Sequence, residues 1–233
     1  MSRRKKPPSN KTELKNYGLT NFVNEKSFSP IKTSDLKKIA DAAIKILTEI
    51  GMTDAPEELC DLILKHGGRL EGDRLIYPSS LIRNAIKKHQ PIVLLAGQTV
   101  ENDLYVGGNY VYAGTGGAAP NLQKPQTNEY VPSKLKDLYN AARLADRLTN
   151  IRFFSRSLVA GDIEDPLQFD LATAAASLAG TSKHVMVQAS HWSHVIAIAE
   201  LCYKIAGGEK NFRKRPFLSL HVNHAVPPLR FDP

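Results

Sequence analysis

The chain has 233 residues, and 31 Lys plus Arg against 23 Asp plus Glu leave a formal charge of +8. With 42% hydrophobic and 23% charged residues it has the balance of a folded globular protein, which excludes collagenous, disordered or coiled-coil organisation of the whole chain. Its two cysteines, Cys60 and Cys202, are far apart and give no support to a disulfide framework or a thiolate zinc site, so a reducing compartment, the cytoplasm, is expected.

Residues 1–33 read as a basic flexible arm, in which Arg3, Arg4, Lys5, Lys6 and Lys11 precede the first acidic residue, Glu13. No apolar core of a secretion signal follows them. Clustered cations pair with phosphates, but no recognition helix or aromatic-interleaved basic strand accompanies these, so the arm reads as a solvated tail and no nucleic-acid partner is expected. The apolar runs fall far short of the ~20 residues of a membrane span, so no membrane is expected either.

From Ser34 the pattern is helical. Leu36, Ile39, Ala40, Ala43, Ile44 and Leu47 recur at helical spacing, with Ser34 or Asp35 placed to cap and Gly51 to stop the helix. A second helix over 56–65 carries Leu59, Leu62 and Ile63 on one face and ends at Gly67 and Gly68. A hairpin follows, residues 69–71 and 74–77 around Gly72 and Asp73. Next come a helix from Ser79 or Ser80 to about 88 and an apolar run at 92–96. Residues 34–105 are thus expected to form a small helical subdomain with a β-hairpin.

Beyond 106, strands at 109–113, 151–160, 183–189 and 217–222 alternate with helices at 133–149, 166–179 and 193–206. That alternation implies βαβ units and a parallel sheet, an α/β fold. A closed (β/α)8 TIM barrel takes ~250 residues, and residues 106–233 supply about the first four βα units. An open half-barrel leaves a sheet edge unpaired and its inner face wet. The chain is therefore expected to be the amino-terminal portion of a longer protein, or to borrow the rest, for instance by pairing two copies as a homo-oligomer.

In parallel architectures, functional groups collect at the carboxyl ends of strands. The first strand delivers Gly114, Thr115, Gly116 and Gly117, where missing side chains leave the backbone open to a ligand. Amides there are able to cradle an anion, and the same loop makes room for a bulky planar cofactor carried by another protein; both uses stay open. No Lys-Ser/Thr pair follows, so this is no P-loop. The third strand ends at Gln188, Ala189, Ser190, His191 and Trp192, and the fourth at His221, Val222, Asn223 and His224.

His191 with His194, and His221 with His224, have a spacing compatible with a metal. No carboxylate or thiolate adjoins either pair in sequence, so hydrogen-bonded or capping histidines are expected and no metal. Trp192, the only tryptophan, stands at a strand-to-helix junction, and its ring face suits a quaternary ammonium. Tyr110, Tyr112, Phe153 and Phe154 lie on neighbouring strands, where alternate aromatics ordinarily fill a core. Glu164 and Asp165 fit the cap and first turn of the following helix, whereas Asp162 stays open as acid, base or counter-charge. No nucleophile elbow, HExxH or Walker sequence appears.

Several runs resemble the trimethylamine methyltransferase family: IADAAIKILTEIG at 39–51, ILKHGG at 63–68, RLIYP at 74–78, DLYVGG at 103–108 and AGTGG at 113–117. Asp137 and Leu138, Ala141 with Arg143 to Asp146, Asn150 and Ile151, and Pro228 to Arg230 continue the likeness in order. One departure is Lys183-His184, where the family often reads Lys-Pro. The resemblance implies a (β/α)8 barrel enzyme that moves a methyl group from a methylated amine, trimethylamine or a quaternary amine such as glycine betaine, to the cobalt of a corrinoid (cobalamin) held by a separate corrinoid protein. Some members use pyrrolysine, in a later half of the barrel that this sequence lacks.

On this reading Trp192, His221, Asn223 and His224 face the amine and Gly114 to Gly117 line the corrinoid's approach, with no cofactor bound permanently and this portion alone expected to be inactive. The alternative is a non-catalytic binding or assembly module that recruits a corrinoid protein or captures a quaternary amine. A weaker one is a phosphate-handling barrel enzyme using Gly116 and Gly117.

Overall fold

A computed structural model describes residues 31–108, 110–221 and 229–231. The chain divides into two compact units, with a boundary between Pro91 and Ile92.

In the first unit, helix α1 (Thr33–Lys45) runs into a wider π turn, Ile46–Ile50. It stops at Gly51, whose φ of +70° is left-handed. A side chain at Gly51 would lie 2.3 Å from the Leu75 carbonyl oxygen, so the chain reversal requires glycine. Helix α2 (Glu57–Lys65) leads into the antiparallel hairpin β1 (Arg69–Glu71) and β2 (Arg74–Ile76), followed by α3 (Ser79–Lys88). These match the expected elements, except that Lys32 and Pro78, not the neighbouring serines, precede α1 and α3, and neither caps through a side chain. Met52, Ile63, Leu75 and Ile76 form the buried centre of this unit. Thr53 bridges to Arg230.

The second unit opens with an antiparallel ribbon, β3 (Ile92–Leu95) and β4 (Leu104–Gly107). Residues 92–105 therefore belong with the sheet rather than with the helical subdomain. Side chains fasten them there: Gln98 donates to the carbonyls of Leu178 and Thr181, and Arg215 forks onto both oxygens of Asp103 at 2.7 and 3.1 Å.

The first strand of the main sheet, β5 (Ala113–Gly114), is shorter than expected. Then comes an unforeseen ribbon, β6 (Asn121–Gln123) and β7 (Tyr130–Pro132). Helix α4 (Leu135–Arg147), β8 (Ile151–Ser155), α5 (Pro166–Gly180), β9 (His184–Val187), α6 (His194–Ile205), a short α7 (Glu209–Lys214) and β10 (Leu218–Leu220) complete the unit. The strands form one parallel sheet in the order β10-β9-β8-β5, flanked by helices, so each strand lies beside its predecessor in the series.

The acidic loop before α5 is structural. Asp165 caps α5 by accepting from the Gln168 amide at 2.8 Å, and Asp162, left open above, accepts from the Leu135 amide at 2.8 Å and so serves the start of α4. The core lies between sheet and helices and includes Leu138, Phe154, Leu178, Val185 and Ile198. Gly180 lets α4 and α5 approach: a Cβ there would meet that of Ala142 at 2.5 Å.

At the amino ends of the strands the polar groups are also structural. The Lys183 ammonium donates to the carbonyls of Ala145, Leu148 and Ile151, capping α4 and the turn after it. His184, 1% exposed, spans from the Ala96 carbonyl at 2.8 Å to the Ser219 hydroxyl at 2.6 Å. A carbonyl only accepts, so Nδ1 carries the proton and Nε2 accepts from Ser219. Burial pushes the His184 pKa below its usual value. The unfolded chain thus binds the proton more readily than the folded one. The contribution of His184 to stability is complete above about pH 6.5 and drains away as pH falls through the lower folded value. Thermal midpoints are expected to fall between pH 7.5 and 5.5, with a shallower slope in His184→Asn.

Candidate functional site

The carboxyl edge of the sheet gathers the ends of four strands. Beyond β5, Gly114 is committed to packing: a Cβ would lie 2.3 Å from the Phe153 ring. Thr115 is committed too, its hydroxyl donating to the Ser155 carbonyl at 2.6 Å and accepting from the Ser155 amide at 3.0 Å, in place of a regular strand ladder. Gly116 and Gly117 differ. A Cβ at either would meet nothing within 4 Å, and Gly117 has a φ of +106°. The open part of the glycine run is therefore these two residues. Gly114→Ala is expected to cost ~1–3 kcal/mol through overpacking, against less than ~0.5 kcal/mol for Gly116→Ala, as read by denaturant midpoints.

Beyond β8, Arg156 keeps the ladder with its amide, which donates to the Met186 carbonyl at 3.1 Å. Its side chain turns toward the next strand end, where Nη2 donates to Gln188 Oε1 at 2.9 Å. The guanidinium carbon lies 5.5 Å from the Phe169 ring centre, a cation–π contact. Burial pulls the Arg156 pKa below its ordinary value and the Asp170 charge opposes that pull. The buried hydroxyl of Ser157 has no hydrogen-bond partner among the described residues.

Beyond β9, the loop 188–193 is tied down by a residue that sequence reading missed. Asp170, on α5, is 1% exposed. Its Oδ2 accepts from the Ser190 amide at 2.6 Å and from His194 Nδ1 at 2.7 Å, and its Oδ1 accepts from the Ser190 hydroxyl at 2.9 Å. The only sequence signal was a carboxylate standing alone in the largely apolar stretch of α5. His194 is therefore a hydrogen-bonded histidine at the start of α6, and His191 pairs its Nδ1 with the Ser193 hydroxyl at 2.7 Å.

Between these anchored positions stands Trp192, 75% exposed, with its ring centre 5.5 Å from that of His191 and tilted by 39°. Its indole is as open as the ring of Tyr130, also 75% exposed, but unlike that ring it stands at a strand-to-helix junction on the carboxyl edge. The other aromatics do not join it: Phe154 is fully buried, Phe153 faces Gly114, and the Tyr112 hydroxyl donates to the Tyr105 carbonyl. Beyond β10, His221 is exposed, and its amide extends the sheet by donating to the Val187 carbonyl at 2.8 Å. Asn223 and His224 lie outside the described residues. The edge thus carries an open indole ring, a half-buried guanidinium and an open backbone loop, on adjacent strands.

A model of the family described as trimethylamine methyltransferase (MTTB) matches residues 1–233. The chain is 25% identical over 211 residues to the trimethylamine methyltransferase MttB of Desulfitobacterium hafniense (strain DSM 10664 / DCB-2), covering 90% of this chain and 40% of that protein. It is 24% identical over 204 residues to the glycine betaine methyltransferase of Desulfitobacterium hafniense (strain Y51), covering 87% and 42%. With the trimethylamine methyltransferase MttB2 of Methanosarcina mazei the identity is 25% over 206 residues, covering 86% and 42%. The chain spans about two fifths of the length of these relatives. With the family model matching along its whole length, this chain belongs to the trimethylamine methyltransferase family.

Proposed function

We propose that this chain serves methyl transfer from a methylated amine, trimethylamine or a quaternary amine such as glycine betaine, to the cobalt of a corrinoid carried by a partner protein, and that its parallel sheet is the amino-terminal portion of a (β/α)8 barrel. The observation that carries the reading is the open indole of Trp192, placed by an anchored loop at the carboxyl edge of a parallel sheet in a member of this family.

A methyl bound to positively charged nitrogen suits the indole face, which attracts the cation by ~0.5–2 kcal/mol according to its desolvation. Asp170 fixes the loop through Ser190 and His194 and so sets where the ring stands. His221 is available at the adjoining strand end, and Asn223 and His224 follow it in sequence. The corrinoid's approach is assigned to the backbone at Gly116 and Gly117, where an added Cβ would meet nothing within 4 Å, while Gly114 and Thr115 brace that loop against β8. When bound, the corrinoid supplies the nucleophilic cobalt that accepts the methyl. The protein's part is to orient the amine and exclude water from it.

The test is transfer to cob(I)alamin, followed by its absorbance, with protein expressed from the complete reading frame. Transfer from trimethylamine or glycine betaine is expected. Its absence with every methylated amine contradicts the reading, and saturable amine binding without any transfer supports the capture module instead.

A further inference from the structure

His194 has one ring nitrogen committed and one open. Its Nδ1 lies 2.7 Å from Oδ2 of Asp170, which also accepts from the Ser190 amide. A carboxylate oxygen accepts, so Nδ1 carries the hydrogen and, in the neutral ring, Nε2 is left with a lone pair. Among the described residues Nε2 has no hydrogen-bond partner, and the side chain, 14% exposed against 1% for that of Asp170, reaches solvent. The contrast within the same unit is His184, both of whose nitrogens are taken, by Ala96 and Ser219. The open nitrogen belongs to the ring cluster of the strand-end loop: the His191 ring centre is 5.5 Å from that of Trp192 and 5.7 Å from that of His194, so one imidazole adjoins both.

We infer that His194 Nε2 is a specificity-determining acceptor that reads the N–H of an ammonium bound at this edge, and so senses whether the nitrogen is fully methylated. A ring face attracts either kind of cation, whereas an acceptor fixed in one tautomer by a buried carboxylate favours the ligand that has an N–H to give it. Loss of one methyl from a quaternary nitrogen, followed by uptake of a proton, creates such an N–H, and a tertiary ammonium carries one from the start. The inference rests on the amine reading above and adds to it the residue that separates a fully methylated amine from its demethylated counterpart.

The experiment is calorimetric titration of protein from the complete reading frame at about pH 8, where an ordinary histidine is neutral and an alkylamine is still protonated. The ligands are two pairs that differ by one N–H in place of a methyl: trimethylammonium with tetramethylammonium, and N,N-dimethylglycine with glycine betaine. The N–H member of each pair is expected to bind about ten-fold more tightly, the effect of a hydrogen bond from a charged donor. In His194→Asn the side-chain amide still donates to Asp170 but offers no acceptor at the Nε2 position, so the preference is expected to fall to within about two-fold while the fully methylated members keep their affinity. His194→Gln carries the test if the Asn variant fails to fold by circular dichroism, since it leaves no acceptor fixed by Asp170 and the preference falls there too. Equal weakening of both members of a pair, as a merely structural role would give, overturns the inference, and so does an unchanged preference in the folded variant. Equal binding of trimethylammonium and tetramethylammonium by the unaltered protein overturns it while leaving the amine reading intact. No binding of any of the four overturns both.

Discussion

Asp170→Ala is expected to destabilise the sheet unit by ~3–5 kcal/mol, the cost of removing one partner from a buried ionic and hydrogen-bonded group. The carboxylate is 1% exposed and receives three hydrogen bonds, two from Ser190 of the loop beyond β9 and one from His194 at the start of α6. Alanine strands the Ser190 amide and His194 Nδ1 without an acceptor. Asp170→Asn costs less, ~1 kcal/mol. Its carbonyl can replace Oδ2 for the amide and imidazole, and its NH2 can face the Ser190 hydroxyl, which rotates to accept instead of donate. Urea denaturation measures the difference between the two variants. Hydrogen exchange at Ser190 is expected to accelerate in the alanine variant, which a purely distant loss of packing would not single out.

Phe154→Ala ranks with it, at ~3–5 kcal/mol. Phe154 lies in β8, a central strand of the sheet, paired in register with Val185 and fully buried in the cluster that includes Leu138 and Leu178. Its removal opens a cavity bounded by a sheet and helices, which have little freedom to collapse into it. Phe154→Leu is expected to cost under ~2 kcal/mol, and equal effects from the two substitutions would show that the site relaxes.

The helices were legible because their apolar residues recur locally. α2, α4, α5 and α6 all fall within two residues of the spans read from periodicity and capping. The strands were legible as a series but not in extent: β8 ends at Ser155, well before the expected 160, because the apolar residues 158–160 continue as a loop tied to Ala119 and Ser133. The β6–β7 ribbon offers one apolar residue, Leu122, on its first strand and was hidden in a long loop. α7 is a mostly charged turn of helix behind Gly207 and Gly208 with little periodicity to betray it.

Strand-end logic put Trp192 and the glycine loop at the carboxyl edge, where the structure also has them, since chain order alone puts them there. It missed Asp170 and Arg156, whose roles arise from pairings across elements, α5 with the β9 loop and one strand end with the next. It also overread Gly114 and Thr115, which the neighbouring strand occupies. The Lys183-His184 departure has a local account: the imidazole bridges Ala96 to Ser219 at the opposite, amino edge of the sheet, where groups hold the fold together.

Trp192 is the sole tryptophan of these 233 residues, so the fluorescence difference between the protein and its Trp192→Phe variant reports on the candidate amine site. Titration with glycine betaine or tetramethylammonium is expected to change its emission saturably, whereas 3,3-dimethylbutanol, which presents the same methyl-bearing shape without charge, leaves it nearly unchanged. No response to any quaternary amine, or an equal response to the uncharged compound, would contradict a cation-binding ring at the carboxyl edge of this sheet.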